Sequence, residues 1–191
     1  MRLLVTLILS LTFSLPALAL ELTDQNVQKW IKSYSAVMEW SKTQDKKELE
    51  FLEKEQNADP KFDALFSNAM KGMKDHKIYK DFSGVLKKNG FSDTDEWAQM
   101  GDRIMAATLA VEMEKHQATS AQTRTQMKQA MDSLMANPNM TPEQKAQMQQ
   151  MMGMGNQMLD VADNVPANDK AVIKRNADMI KQVMEQNSEE N

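Results

Sequence analysis

Asn89-Gly90-Phe91-Ser92-Asp93-Thr94-Asp95-Glu96-Trp97-Ala98 is the stretch on which the fold class turns. An Asn-Gly pair between runs of alternating apolar residues announces a β-hairpin. Here it follows Ile78, Tyr79, Phe82, Val85 and Leu86, which recur at helical spacing, so the pair ends a helix. Gly90 can take the left-handed conformation there, and Phe91 can fold back on the last turn. Ser92 or Asp93 then caps a new helix, with Glu96 as the capping-box partner of Asp93. Trp97, Met100, Ile104, Ala107 and Val111 form the apolar stripe of that helix. The stretch reads as helix stop, corner and helix start, and Gly90, Phe91 and Trp97 are expected to pin the corner into the core.

Working outward, Thr23 caps a helix from about Asp24 to about Lys42, with Val27, Trp30, Ile31, Tyr34, Val37 and Met38 on one face. A charged segment over 45–56 reads as a shorter helix. After Asn57-Ala58-Asp59-Pro60, the residues Phe62, Leu65, Phe66, Ala69, Met70 and Met73 restart the period. On the other side of the corner the pattern weakens from His116 to Thr125, which fits one long helix or a bend near Ser120, and resumes at Met127, Met131, Leu134 and Met135. Asn137-Pro138-Asn139 stops it. Thr141-Pro142-Glu143-Gln144 then supplies a cap, a first-turn proline and a capping-box glutamine. Beyond Val165-Pro166, Ile173, Ala177, Ile180 and Met184 give a final amphipathic helix. β-Branched alternation is absent, so the prediction is all-α, an irregular bundle of about six to seven helices.

Composition divides the chain. Apart from Phe13, every aromatic residue lies between Trp30 and Trp97, whereas Met127, Met131, Met135, Met140, Met148, Met151, Met152, Met154 and Met158 crowd a later stretch rich in Gln and Ala. Aromatic rings bury large rigid areas and Met fills irregular space adaptably. An aromatic-rich lobe over 20–117, Met/Gln-rich helices over 118–187 and a disordered acidic tail over 188–191 are therefore expected.

Residues 1–19 read as a secretory leader. Arg2 is the positive n-region, Leu3 to Leu15 the apolar core, and Ala17-Leu18-Ala19 the small-residue cleavage pattern. Cleavage after Ala19 and residence in the periplasm are the expectation, with no membrane insertion of the mature chain. The charge balance of 23 basic against 27 acidic residues argues against nucleic acid as a partner. The sequence has no cysteine, so no disulfide framework and no Cys-based metal site is available to it.

The methionines are the main candidates for binding. Met148, Met151, Met152 and Met158 share a helix face, and Met127, Met131 and Met135 recur on the preceding helix. Such stripes serve most often as core, burying themselves among neighbouring helices, and left exposed they become adaptable binding surface. Gly155 sits in the stripe, where it permits close approach of a neighbour. Thioether sulfur is also a soft ligand for Cu(I), which Met148, Met151, Met152, Met154 and Met158 could supply. His76 and His116 stand in polar stretches without a spaced catalytic partner. The carboxylate pairs Asp93 with Asp95 and Glu112 with Glu114 suit capping and solvated faces. No phosphate loop, zinc-binding pair or nucleophile elbow is present in the sequence.

The Gly90-Phe91…Glu96-Trp97-Ala98…Arg103-Ile104-Met105-Ala106 pattern, with the Leu22-Thr23…Val27…Trp30-Ile31 opening, resembles a group of small exported helical proteins of Gram-negative bacteria with no established function. The resemblance spans roughly Leu22 to Ala107 and implies no catalytic residues. Met140-Thr141-Pro142-Glu143-Gln144 resembles the Leu-Thr-x-x-Gln motif of Spy/CpxP-like periplasmic chaperones, with Met140 in place of the leucine. The expectation is an exported, non-catalytic protein without cofactor, a monomer or weak homodimer. It would bind a protein or peptide through the Met-rich surface. A Cu(I)-binding protein and an enzyme of unknown class are the alternatives.

Overall fold

The computed structural model describes residues 21–45, 49, 63–116, 121–135 and 140–188, with backbone alone at 121–124, 127 and 186–188. The leader with Ala17 and Ala19, most of the helix expected over 45–56, and residues 189–191 lie outside them. Among the described residues the chain is all-α, with eight helices and no strand. They are α1 (Asp24–Lys42), α2 (Leu65–Met73), α3 (Tyr79–Lys88), α4 (Thr94–Lys115), α5 (Ala121–Met135), α6 (Pro142–Asp163), α7 (Ala167–Arg175) and α8 (Ala177–Ser188).

Local chemistry sets most boundaries. Thr23 Oγ1 accepts from the Asn26 amide at 3.2 Å and caps α1. At the corner Gly90 has φ of +89°, the Phe91 amide donates to Leu86 O at 3.0 Å and the Gly90 amide to Lys87 O at 3.2 Å. This pair of bonds is the Schellman stop, and Phe91 and Leu86, the two positions between which such a stop places its apolar contact, are both buried in the same core cluster. Asp93 caps α4, but its carboxylate accepts from the Asp95 amide, one position short of Glu96, at 2.8 Å and Glu96 does not return a bond, so the expected capping box is not formed. The box at Thr141 is complete, with Gln144 N to Thr141 Oγ1 at 3.3 Å and Thr141 N to Gln144 Oε1 at 2.9 Å.

Two expectations are resolved or corrected. The pattern that weakens from His116 to Thr125 falls on two helices, since α4 ends at Lys115 with His116 as its C-cap and α5 begins at Ala121. The single final helix is two. Asn176 interrupts it because its buried side-chain amide donates to Val172 O at 2.9 Å and to Asp24 Oδ1 at 2.6 Å, tying the chain to α1 at the bend.

The hub is α4, which packs against α1, α2, α3, α6 and α7. Trp97 near its start is 2 % exposed and is ringed by Trp30, Phe66 and Phe82, at centroid distances of 5.5, 5.5 and 5.6 Å. Their buried polar atoms close on one another. Trp30 Nε1 donates to Trp97 O at 2.9 Å, Trp97 Nε1 to Ser33 Oγ at 2.7 Å, and Ser33 Oγ to Trp30 O at 2.7 Å. Neither indole N–H is left unpaired, which spares the fold the desolvation cost of a buried donor. One turn on, Gly101 lets α4 approach this cluster, because a Cβ there would lie 2.8 Å from both Phe66 Cδ2 and Trp30 Cζ2.

The core reaches beyond the aromatic stretch. Val172, Ile173 and Ile180, from α7 and α8, join the same buried cluster as Trp30 and Ile104. Charge fixes α7 in place. Arg103 Nη2 donates to Asp169 Oδ1 at 2.9 Å, Lys170 and Lys174 bind Glu114 at 2.8 and 2.9 Å, and Arg175 binds Asp24 at 3.0 Å. Asp169 is wholly buried, so the guanidinium against it supplies the pairing that a buried carboxylate requires.

Candidate partner-binding groove

The methionine-rich segment forms α5 and α6, and it behaves unlike the rest of the chain. Among the buried residues α6 contributes Ala162 alone, and α5 contributes none of its described side chains. Met151 is 57 % exposed and Leu134 46 % exposed. Met131, Met135, Met148, Met152, Met154 and Met158 are half-buried, and the side chain of Met127 lies outside the description. The commoner fate of such a stripe, full burial as core, is therefore not the one found.

Between the two helices runs a groove of about 560 Å³. Met131 lines it from α5, and Met151, Met152, Gly155 and Leu159 line it from α6, at the three- and four-residue spacing that puts them on one face. Lys128 and Asp132 flank the groove on α5, as do Asn156 and Asp160 on α6. Met135, Met148, Met154 and Met158 are not part of its lining. The sequence singled out the thioethers but not the polar rim. Its signal was the repeated spacing of four, Lys128 to Asp132 and Asn156 to Asp160, in step with the Met stripe.

From Ala146 to Leu159 α6 carries no charged residue. This stretch offers polarizable, conformationally adaptable contact and amide hydrogen bonding, with no fixed charge at its centre.

The other candidate residues have structural employment. Phe91 and Trp97 are buried at the corner, where the Lys29 ammonium lies 4.1 Å from the centre of the Phe91 ring. Asp93 is a cap and Asp95 pairs with Lys74 at 2.8 Å. Glu112 pairs with Lys115 and Glu114 with the α7 lysines. His76 and His116 are exposed, and among the described residues no cluster of His, Asp or Glu could hold a metal ion.

One carboxylate that the sequence left unremarked has an unusual position. Asp102, 6 % exposed, accepts from the Phe66 amide at 2.7 Å, the Ser67 amide at 3.2 Å and the Ser67 hydroxyl. It thereby caps α2 from a different helix, since Ala64 at the N-cap position has no side chain to do so. Burial pushes its carboxyl above the usual range against the pull of those bonds. This is a joint between α2 and α4.

No family model, curated protein or solved structure matches the chain. Among the described residues no helix is long and apolar enough to cross a membrane.

Proposed function

We propose that the chain is an exported, non-catalytic helical protein that binds a protein or peptide partner through the groove between α5 and α6. The carrying observation is that Met131, Met151 and Met152 line one open groove while the large side chains of the aromatic cluster are consumed by the core. Flexible thioethers that are left half-buried or exposed can repack around a partner. The leader read in residues 1–19 and the resemblance of Met140 to Gln144 to the periplasmic chaperone motif support the location and the class.

A photo-crosslinking residue at Met151, compared with one at exposed Lys80 on α3, tests this in cells. Capture of the same partner from position 151 and not from 80, abolished by Met152→Lys, is the expected result. Equal capture from both positions, or none, would sink the proposal.

Convergence of three thioethers also favours a second reading, in which the groove holds Cu(I). With the crosslinking residue standing at 151, Met131→Leu and Met152→Leu together keep the apolar shape and leave the groove lining without sulfur. Partner capture that survives this double change favours the first reading over the second.

A further inference from the structure

Burial divides the methionines into two chemical populations. The sequence holds 18 of them and no cysteine, so thioether is its most readily oxidised sulfur. Met70, Met73 and Met100 are 4, 2 and 2 % exposed and belong to the core cluster that holds Trp97. Met151 is 57 % exposed, followed by Met179 at 40 % and Met184 at 37 % on α8. On α6 Met148, Met152, Met154 and Met158 accompany Met151, and none of the five is buried.

We infer that α6 carries a site of reversible oxidation, at which Met151 takes oxygen first from a hydroperoxide while the aromatic core stays folded. A sulfur lone pair attacks one peroxide oxygen, and the O–O bond breaks as the S–O bond forms. The proton on the transferred oxygen passes to the departing hydroxide, which leaves as water. Sulfur is thereby oxidised by two electrons and the peroxide is reduced. The reaction requires the sulfur to meet the oxidant, so exposure sets the order of attack. Exposure also sets the cost. The sulfoxide carries a strong acceptor oxygen, which at Met100 would enter an apolar core without a partner and at Met151 is open to water. Because Ala162 is the one buried residue of α6, the core keeps its packing when the methionines of that helix become polar. An exposed sulfoxide is likewise open to the reductases that return the thioether.

Oxygen uptake requires no bound partner, so the purified chain is treated with graded hydrogen peroxide and mapped residue by residue by fragmentation mass spectrometry. Met151 is expected to gain oxygen about tenfold or more faster than Met70, Met73 and Met100, with Met179 and Met184 next in order. Once Met151 carries its sulfoxide, the melting temperature should stay within about 2 °C of the parent's. The two stereospecific methionine sulfoxide reductases together should restore the original mass. Met151→Leu should remove the earliest uptake and leave the rate at Met100 unchanged. Equal rates at Met151 and Met100 overturn the inference. So does loss of the near-ultraviolet circular dichroism of the tryptophans at the stage of first uptake, or a sulfoxide at Met151 that the reductases leave in place.

Discussion

The aromatic half and the methionine hairpin solve opposite problems with the same secondary structure. Around Trp97 every large side chain has a fixed neighbour, each indole N–H has an acceptor, and even a glycine is dictated by the rings beside it. Along α6 the side chains are flexible, the glycine faces open space, and little beyond Ala162 is buried. A helix can thus be stabilised by rigid burial or be left adaptable. The difference lies in which side chains fill its stripe and not in whether the stripe exists.

The sharpest way to break this comparison is at Trp97. Trp97→Ala removes a ring that is 2 % exposed and leaves a cavity bounded by Trp30, Phe66 and Phe82, a loss of about 3–5 kcal/mol in denaturant unfolding. Trp97→Phe keeps most of the ring and removes the bond to Ser33, so it should cost distinctly less. A loss for Trp97→Ala below about 1 kcal/mol would mean that the aromatic cluster is not the rigid half.

Acid divides the rigid half internally. Hydrogen bonds from Arg175 and then Asn176 hold the Asp24 carboxyl below its ordinary value, and those from Lys170 and then Lys174 do the same for Glu114. A carboxylate depressed on folding contributes stability above its unfolded value, and that contribution is lost as pH falls through the folded one. The Asp102 carboxyl, raised mainly by burial, has the opposite sign: its contribution is present below the unfolded value and lost as pH rises through the folded one. As pH falls below the ordinary carboxylate range, amide protection in α7 should therefore weaken before protection in α2. Hydrogen exchange corrected for intrinsic rates reads both helices together. Loss of protection in α2 first would show that the α7 pairs do not fasten that helix.

Much of the fold was legible because its signals are local. Thr23, Gly90 with Phe91, and the Thr141 box each act within a few residues, and helical spacing alone places Trp30 and Trp97 on buried faces. What escaped depends on residues far apart in sequence. Asp102 caps a helix that begins 37 positions earlier, and Arg103 and Asp169 are 66 apart, so each looks like an ordinary solvated charge until the helices meet. Asn176 is similar, since its bond to Asp24 spans 152 positions. For the groove, composition singled out the methionine-rich stretch as a whole. Which methionines converge is set by how α5 lies beside α6, and that selected Met131, Met151 and Met152 while leaving Met135, Met148, Met154 and Met158 outside the lining.

The smallest expected effect is the most telling about the hairpin. Leu134→Gln and Met151→Gln replace two of the most exposed large apolar side chains with a polar residue of similar helix propensity. Neither vacates a buried site, so in dilute solution each should change stability by no more than about 0.5 kcal/mol, against several for Trp97→Ala. A large loss for Met151→Gln would mean that Met151 is anchored within its own chain. The contrast between a committed core and an uncommitted surface would then fail where the two were expected to differ most.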